Sequence, residues 1–71
     1  MVKRDCTAEE IKEYANEEFY LGDYKVAIAL YTKAIEMESR AVYHGNRAAA
    51  FMMLGLYRGA IVDCHRAFEH R

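Results

Sequence analysis

The chain repeats itself at a spacing of 33 residues. When the sequence is shifted by 33 positions, residues 8–38 align with residues 41–71, and nine of the 31 aligned positions are identical. The identical pairs include Leu21 with Leu54, Gly22 with Gly55, Tyr24 with Tyr57, Ala27 with Ala60 and Ile28 with Ile61. A period in this range is typical of helical arrays, in which each unit buries its apolar face against the next. The repeat therefore predicts two stacked copies of one supersecondary unit.

The first unit has the pattern of two helices joined by a turn. Thr7 and Glu10 have the spacing of a capping box, which predicts a helix over about 8–21. Gly22 permits the chain to turn, and Asp23 can cap a second helix over about 24–38. The apolar residues at helical spacing are Ile11, Tyr14, Ala15 and Phe19, then Tyr24, Ala27, Ile28, Tyr31, Ala34 and Ile35.

The second unit repeats this pattern, with helices predicted over about 41–54 and 57–70. The helix that contains the strong helix formers Ala48, Ala49 and Ala50 is flanked on both sides, so we expect it to be the most buried. The apolar stripe of the last helix is Tyr57, Ala60, Ile61, Cys64, Ala67 and Phe68. Because Cys64 falls on that stripe, we expect its side chain to be packed. The prediction is an all-α chain of four antiparallel helices after an N-terminal segment at 1–7.

The charge of the chain argues against nucleic acid as a partner. Ten Lys and Arg residues stand against eleven Asp and Glu residues, which gives a formal net charge of −1. A domain that binds phosphate backbones without sequence preference is normally strongly basic. The charge is uneven, since residues 1–38 carry five bases and nine acids, about −4, and residues 39–71 carry five bases and two acids, about +3.

Neither a membrane span nor an export signal is evident in the sequence. The longest uncharged stretch, Ala48–Tyr57, has ten residues, whereas a transmembrane helix needs about 20 apolar residues. Charged residues follow Met1 without an apolar segment, and Cys6 and Cys64 do not form the dense pattern of a secreted disulfide scaffold. We therefore expect a cytoplasmic protein.

No catalytic or metal-binding constellation is evident. His44, His65 and His70 have no metal-ligand spacing with one another or with either cysteine. Nothing resembles a phosphate-binding loop, a Ser-His-Asp set or a pair of catalytic carboxylates. We therefore expect neither enzyme activity nor a metal or other cofactor.

The repeated motifs resemble those of tetratricopeptide repeat proteins. The resemblance rests on the 33-residue period, the Gly22-Asp23-Tyr24 turn, the run from Ala27 to Ile35 and the segment Asn46-Arg47-Ala48-Ala49-Ala50. It covers residues 8–71 and implies a right-handed α-solenoid of two helix-turn-helix repeats, 8–38 and 41–71. Two departures are the spacing, which is usually 34 in the family, and Ser39, which stands where the family often has proline.

Within that family the chain is most similar to co-chaperones that have a carboxylate clamp. Such a clamp binds the acidic C-terminal tails, ending Glu-Glu-Val-Asp, of heat-shock chaperones. Lys12 and Asn16 match its pair on the first helix, and Asn46 matches its member on the third helix. The resemblance places the remaining lysine and arginine on a fifth helix, after Arg71. It implies a non-catalytic adaptor with three of the five clamp residues.

The chemistry of these residues suits an anionic peptide end. Lys12 and Asn16 lie four residues apart, so on a helix they present an ammonium group and amide donors on the same face. Phe19, Tyr20 and Met53, with Met52, lie near the ends of the same two helices and could form an apolar wall beside the peptide.

Lys12 and Asn46 also have a purely structural interpretation. Lys12 lies among glutamates and could belong to a solvated helix face. Asn46 could tie adjacent helices together by hydrogen bonds. Arg47 could line the surface that binds the peptide or form an ion pair with Glu17 or Glu18, and the ion pair is the preferred interpretation.

The main alternative to peptide binding is self-association. With four helices, the outer face of the last helix has no further repeat to cover it. Tyr57, Ile61 and Phe68 would then be exposed together, and an apolar patch of this kind favours homo-oligomers.

Overall fold

A computed structural model describes residues 6–69, with their side chains as far as residue 67. Within that range the chain forms four α-helices and no strand: α1 (Ala8–Tyr20), α2 (Tyr24–Met37), α3 (Ala41–Met53) and α4 (Tyr57–Glu69). Each helix packs against the next one along the chain, and α1 also makes a slight contact with α3. The predicted all-α architecture is therefore confirmed.

The start of α1 is set by the capping box that the sequence predicts. The Thr7 hydroxyl accepts a hydrogen bond of 3.1 Å from the Glu10 amide, and the Glu10 carboxylate accepts one of 2.9 Å from the Thr7 amide. Two amide groups that the helix itself cannot satisfy are thereby paired.

Both helix pairs turn at a glycine in the left-handed region. Gly22 has φ +88° and Gly55 has φ +76°, a conformation that an L side chain rarely adopts. The chain then closes the helix end with a bond from the Asp23 amide to the Glu18 carbonyl, 2.8 Å long. Asp23 occupies the position before α2, but its side chain makes no capping hydrogen bond.

The first two helices enclose their core together with α3. One cluster contains Ala15, Ala27, Tyr31 and Ala50, with Phe19, Ile28 and Leu30 packed against it. A second contains Ala8, Ala34 and Tyr43, with Ile11 and Ile35 at its side. The alanines allow close approach of the helix backbones, and the two tyrosines, each 1% exposed, fill the space between them.

A polar network joins α3 to α4. Arg47 donates hydrogen bonds of 2.7 Å to both carboxylate oxygens of Asp63, and a third bond of 2.9 Å to the Thr32 hydroxyl of α2. Asp63 is 1% exposed and also lies 3.3 Å from the imidazole of His44. The ion pair expected for Arg47 is present, but the expected partners, Glu17 and Glu18, were wrong. The sequence shows which face of α3 carries Arg47 but not which helix lies opposite.

The outer face of α4 is open to solvent. Tyr57 and Ile61 are 60% and 58% exposed, and Cys64 is exposed as well. The prediction that Cys64 is packed was therefore wrong, because none of the described helices covers the surface where this part of the stripe emerges. On α1, Tyr14 belongs to the predicted stripe but is also exposed.

None of the described helices is long and apolar enough to span a bilayer.

Candidate functional site

Two asparagines from different repeats meet between α1 and α3. The Asn46 side-chain amide donates a hydrogen bond of 3.4 Å to the side-chain oxygen of Asn16. The two residues lie 30 positions apart in the sequence, and the stacking of the second helix pair on the first brings them together. The structural role considered for Asn46, a tie between adjacent helices, is thus present.

The asparagines line a concave surface of about 200 Å³, which we call the asparagine groove. Its lining residues are Asn16, Phe19, Tyr20, Tyr31, Asn46 and Ala49. Four residues that the sequence nominates for peptide binding are therefore neighbours here: both asparagines, Phe19 and Tyr20. Lys12 and Met53 do not line this groove, and Met53 is 56% exposed on α3.

Tyr31 is a groove residue that sequence reasoning treated only as part of the apolar stripe. Its ring is in the core, and its hydroxyl donates a hydrogen bond to the side-chain oxygen of Asn16. Burial, and then the nearby Tyr20, raises the pKa of this phenol above its ordinary value of 10.0. The residue type itself could have indicated a polar contact, because a buried tyrosine normally finds a hydrogen-bond partner for its hydroxyl.

Lys12 lies one helical turn before Asn16 on α1. Its ammonium nitrogen is 3.8 Å from the Glu9 carboxylate, and its side chain is 18% exposed. At that distance the pair is a loose contact between neighbours three residues apart on a helix. A side chain that is only 18% exposed does not belong to a fully solvated face, and contact of Lys12 with a peptide stays a prediction.

Phe19 and Tyr20, which line the asparagine groove, belong to an aromatic cluster. The Phe19 ring meets Tyr20 edge to face at a centroid distance of 5.9 Å, and it meets Tyr24 at 5.2 Å. Edge-to-face contacts of this kind hold aromatic rings in defined orientations. The lining of the groove thus combines amide groups with aromatic rings, of which Tyr20 is 85% exposed.

A second concave surface lies between α3 and α4. It has a volume of about 460 Å³, and we call it the α4 groove. Its lining residues are Met52, Ala60, Ile61, Cys64 and His65. Of the residues proposed for self-association, Ile61 lines this groove and Tyr57 is exposed on the same helix. The side chain of Phe68 lies outside the described residues.

Among the described residues there is no group of three or more His, Cys, Asp or Glu side chains that could hold a metal ion.

Comparison with known proteins shows the family to which the two repeats belong. No family model matches the chain. Tetratricopeptide repeat protein 12 of Mus musculus is 41% identical to it over 63 residues, which are 87% of this chain and 9% of that protein. The chain belongs to the tetratricopeptide repeat family.

Other relatives carry a similar tetratricopeptide repeat unit within longer proteins. Serine/threonine-protein phosphatase 5 of Homo sapiens is 44% identical over 63 residues, 87% of this chain and 13% of the phosphatase. DnaJ homolog subfamily C member 7 of Mus musculus is 46% identical over 61 residues, 84% of this chain and 12% of that protein. The chain therefore spans a small part of each relative. As a tetratricopeptide repeat unit it is a protein-interaction module.

Proposed function

We propose that the chain is a non-catalytic adaptor that binds an acidic peptide by its C-terminal carboxylate in the asparagine groove. The main support is the convergence of Asn16 and Asn46 at 3.4 Å, since these are the two asparagines that match the carboxylate clamp. By the same resemblance, the partner is the acidic tail of a heat-shock chaperone in the cytoplasm. No metal or other cofactor takes part in this binding.

The groups around the groove suit a carboxylate chemically. Side-chain amides supply N–H donors, and Lys12 supplies a cation one turn away on the same helix. A hydrogen bond to a charged group contributes about 1.5–3 kcal/mol when the donor is well placed. Phe19 and Tyr20 then offer apolar contact to an aliphatic side chain next to the peptide end.

The acidic surroundings limit the affinity. Lys12 is near Glu9, and α1 also carries the exposed acids Glu13 and Glu17. An acidic peptide must compete with Glu9 for the lysine and approach against like charge. We therefore expect weak binding that decreases further as salt screens the attraction between the peptide and Lys12.

The test is a titration of the chain with a labelled acidic pentapeptide in two forms, one with a free C-terminus and one amidated. We expect the free acid to bind more tightly, and both Asn16→Ala and Lys12→Ala to reduce its affinity. Lys25→Ala is the matched control, because it removes the same charge from an exposed position on α2. Equal affinity for the two peptides, or equal losses from Lys12→Ala and Lys25→Ala, would contradict the proposal.

Self-association through the α4 groove is the second candidate. The observation that favours it is a larger and more apolar concavity than the asparagine groove, about 460 Å³ against about 200 Å³. Ile28 is the residue of the first repeat that is equivalent to Ile61. It packs against a core cluster to which α3, from the second repeat, contributes Ala50. In this proposal, a second copy of the chain covers Ile61.

Sedimentation at several concentrations tests this second candidate. We expect a dimer that Ile61→Lys dissociates and that Val62→Lys leaves intact. Val62 is the matched control, because it is 52% exposed on the same helix but does not line the α4 groove. A monomer at all concentrations, or equal effects of the two variants, would exclude the candidate.

A further inference from the structure

We infer that Tyr31 is a positioning residue for the peptide site: its hydroxyl fixes the orientation of the Asn16 side-chain amide, so that the NH₂ group faces the ligand. The inference rests on the proposed binding of a peptide carboxylate and adds to it a residue that does not itself belong to the matched clamp set. Its basis is the hydrogen-bonding arrangement around Asn16.

The side-chain oxygen of Asn16 accepts hydrogen bonds from two directions. One comes from the Tyr31 hydroxyl on α2, and the other, 3.4 Å long, comes from the Asn46 amide on α3. An amide oxygen has two lone pairs, so these donors use its full accepting capacity. The opposite end of the amide, which carries two N–H donors, is then the end available to a carboxylate.

This orientation matters because an asparagine side chain is nearly symmetric in shape. The oxygen and nitrogen ends occupy similar volumes, and only the hydrogen-bond partners decide which end points where. If the amide is rotated by half a turn, the oxygen faces the ligand and repels a carboxylate. A fixed orientation therefore supplies selectivity for an anionic chain end without any additional contact to the ligand.

The Tyr31 ring holds its hydroxyl in a fixed place. The residue is 1% exposed and packs with Ala15, Ala27 and Ala50, which come from three different helices. A ring confined on so many sides cannot swing away from Asn16. A phenol with the ordinary pKa of 10.0 is already protonated at neutral pH, and burial raises the pKa of Tyr31 further, so the hydroxyl is able to donate.

Tyr43 provides a matched control. It is also 1% exposed and also belongs to a core cluster. Its hydroxyl is buried and has no hydrogen-bond partner among the described residues. Replacement of either tyrosine by phenylalanine keeps the ring and removes one buried oxygen, but only the change at position 31 removes a donor to Asn16.

The experiment measures the dissociation constants of the wild-type chain, Tyr31→Phe and Tyr43→Phe for the free-acid and the amidated pentapeptide. The readout is the ratio of the amide constant to the free-acid constant. We expect Tyr31→Phe to lower this ratio about three- to tenfold, since a misplaced amide loses part of a charge-assisted hydrogen bond. Tyr43→Phe should leave it unchanged. A merely structural role of Tyr31 would not change selectivity between the two peptides.

A second measurement follows the Asn16 side chain without ligand. Nitrogen-15 relaxation of its NH₂ group should show a rigid amide in the wild-type chain and in Tyr43→Phe, and a mobile one in Tyr31→Phe. Unchanged mobility and an unchanged peptide ratio in a folded Tyr31→Phe chain would overturn the inference.

A third variant applies if Tyr31→Phe fails to fold. Asn16→Asp keeps the acceptors that face Tyr31 and Asn46 but has no NH₂ group to offer the ligand, so it should abolish the free-acid preference; retention of that preference would overturn the inference.

The two proposals can fail separately. A wild-type ratio of one, with a rigid Asn16 amide that Tyr31→Phe loosens, would remove the carboxylate site and with it the ligand role inferred for Tyr31. A wild-type preference for the free acid that Tyr31→Phe retains in full, with the Asn16 amide still rigid, would leave the proposed function in place and remove the inference.

Discussion

Arg47 on α3 and Asp63 on α4 form a bidentate ion pair. Two guanidinium nitrogens, Nε and Nη2, each lie 2.7 Å from a different carboxylate oxygen. Asp63 is 1% exposed, whereas the Arg47 side chain is 18% exposed. The planar guanidinium matches the carboxylate geometry, and its third contact, to Thr32, extends the link to α2. One arginine therefore connects three of the four helices.

Loss of either partner of this pair should destabilise the fold strongly. Arg47→Met leaves the buried Asp63 carboxylate without its cation, and we expect a loss of about 3–5 kcal/mol in the free energy of unfolding. Urea denaturation measures the loss. Combining Arg47→Met with Asp63→Leu should recover part of it, because the uncompensated charge is then also removed. A single variant as stable as the wild type would show that the pair is energetically neutral.

The turn glycine Gly22 should be sensitive to substitution for backbone reasons alone. Its φ is +88°, and an added Cβ would meet no atom within 4 Å, so Gly22→Ala introduces strain without a clash. We expect a cost of about 1–2 kcal/mol in thermal or urea unfolding.

Gly45 is the matched control for that change. It lies inside α3, again with no atom within 4 Å of an added Cβ, and Gly45→Ala should stabilise by about 0.5–1 kcal/mol. Effects of the same sign at Gly22 and Gly45 would contradict the argument from φ.

The fold should lose stability in alkali because of its two buried tyrosines. Burial raises the pKa of both Tyr31 and Tyr43 above the ordinary 10.0. The unfolded chain therefore releases these protons at lower pH than the folded chain does. Their contribution is fully present below about pH 10 and is lost as pH rises through the folded-state values.

Melting temperatures between pH 8 and 11.5 check this expectation. The decline above pH 10 should be shallower for Tyr43→Phe than for the wild type. Tyr14→Phe serves as the control, because Tyr14 is 56% exposed. Identical slopes for the wild type and Tyr43→Phe would show that ionisation of this buried phenol does not limit stability.

Neutralising Glu9 should strengthen peptide binding. The Glu9 carboxylate is 3.8 Å from the Lys12 ammonium group and, in the proposed complex, would compete with the peptide for it. Because the Glu9 side chain is 66% exposed and the pair is loose, we expect Glu9→Gln to raise the affinity for the free-acid peptide only about twofold. Glu36→Gln makes the same charge change at an exposed position on α2 and should have less effect. Equal gains in affinity from Glu9→Gln and Glu36→Gln would show that the effect comes from net charge alone.

The parts of the fold that local sequence determines were predictable. Thr7 and Glu10 lie three residues apart, and their capping box needs no distant partner to form. Gly22 and Gly55 mark both turns, because glycine adopts a positive φ without strain and needs no distant contact to do so. The apolar stripe likewise placed Tyr31 in the core.

Contacts between helices were much harder to predict. Periodicity shows which face of α3 carries Arg47, but the partner Asp63 depends on how α4 crosses that face. Cys64 has the spacing of a core residue and is nevertheless exposed, because burial requires a neighbour as well as a stripe.

For the candidate site, the residue types were predictable and their arrangement was only partly so. Resemblance selected Asn16 and Asn46, but the pattern of residues could not show that Tyr31 contacts Asn16 from a third helix. The groove also leaves Lys12 and Met53 outside its lining, and peptide contact by these two residues stays a prediction.

The slight contact between α1 and α3 has a mechanical consequence. The two helix pairs are joined mainly through α2 and α3, so we expect the edge of the molecule that holds Asn16 and Asn46 to be the more compliant one. In the proposed complex, a peptide in contact with both asparagines would act there as a brace and would couple the angle between the repeats to occupancy.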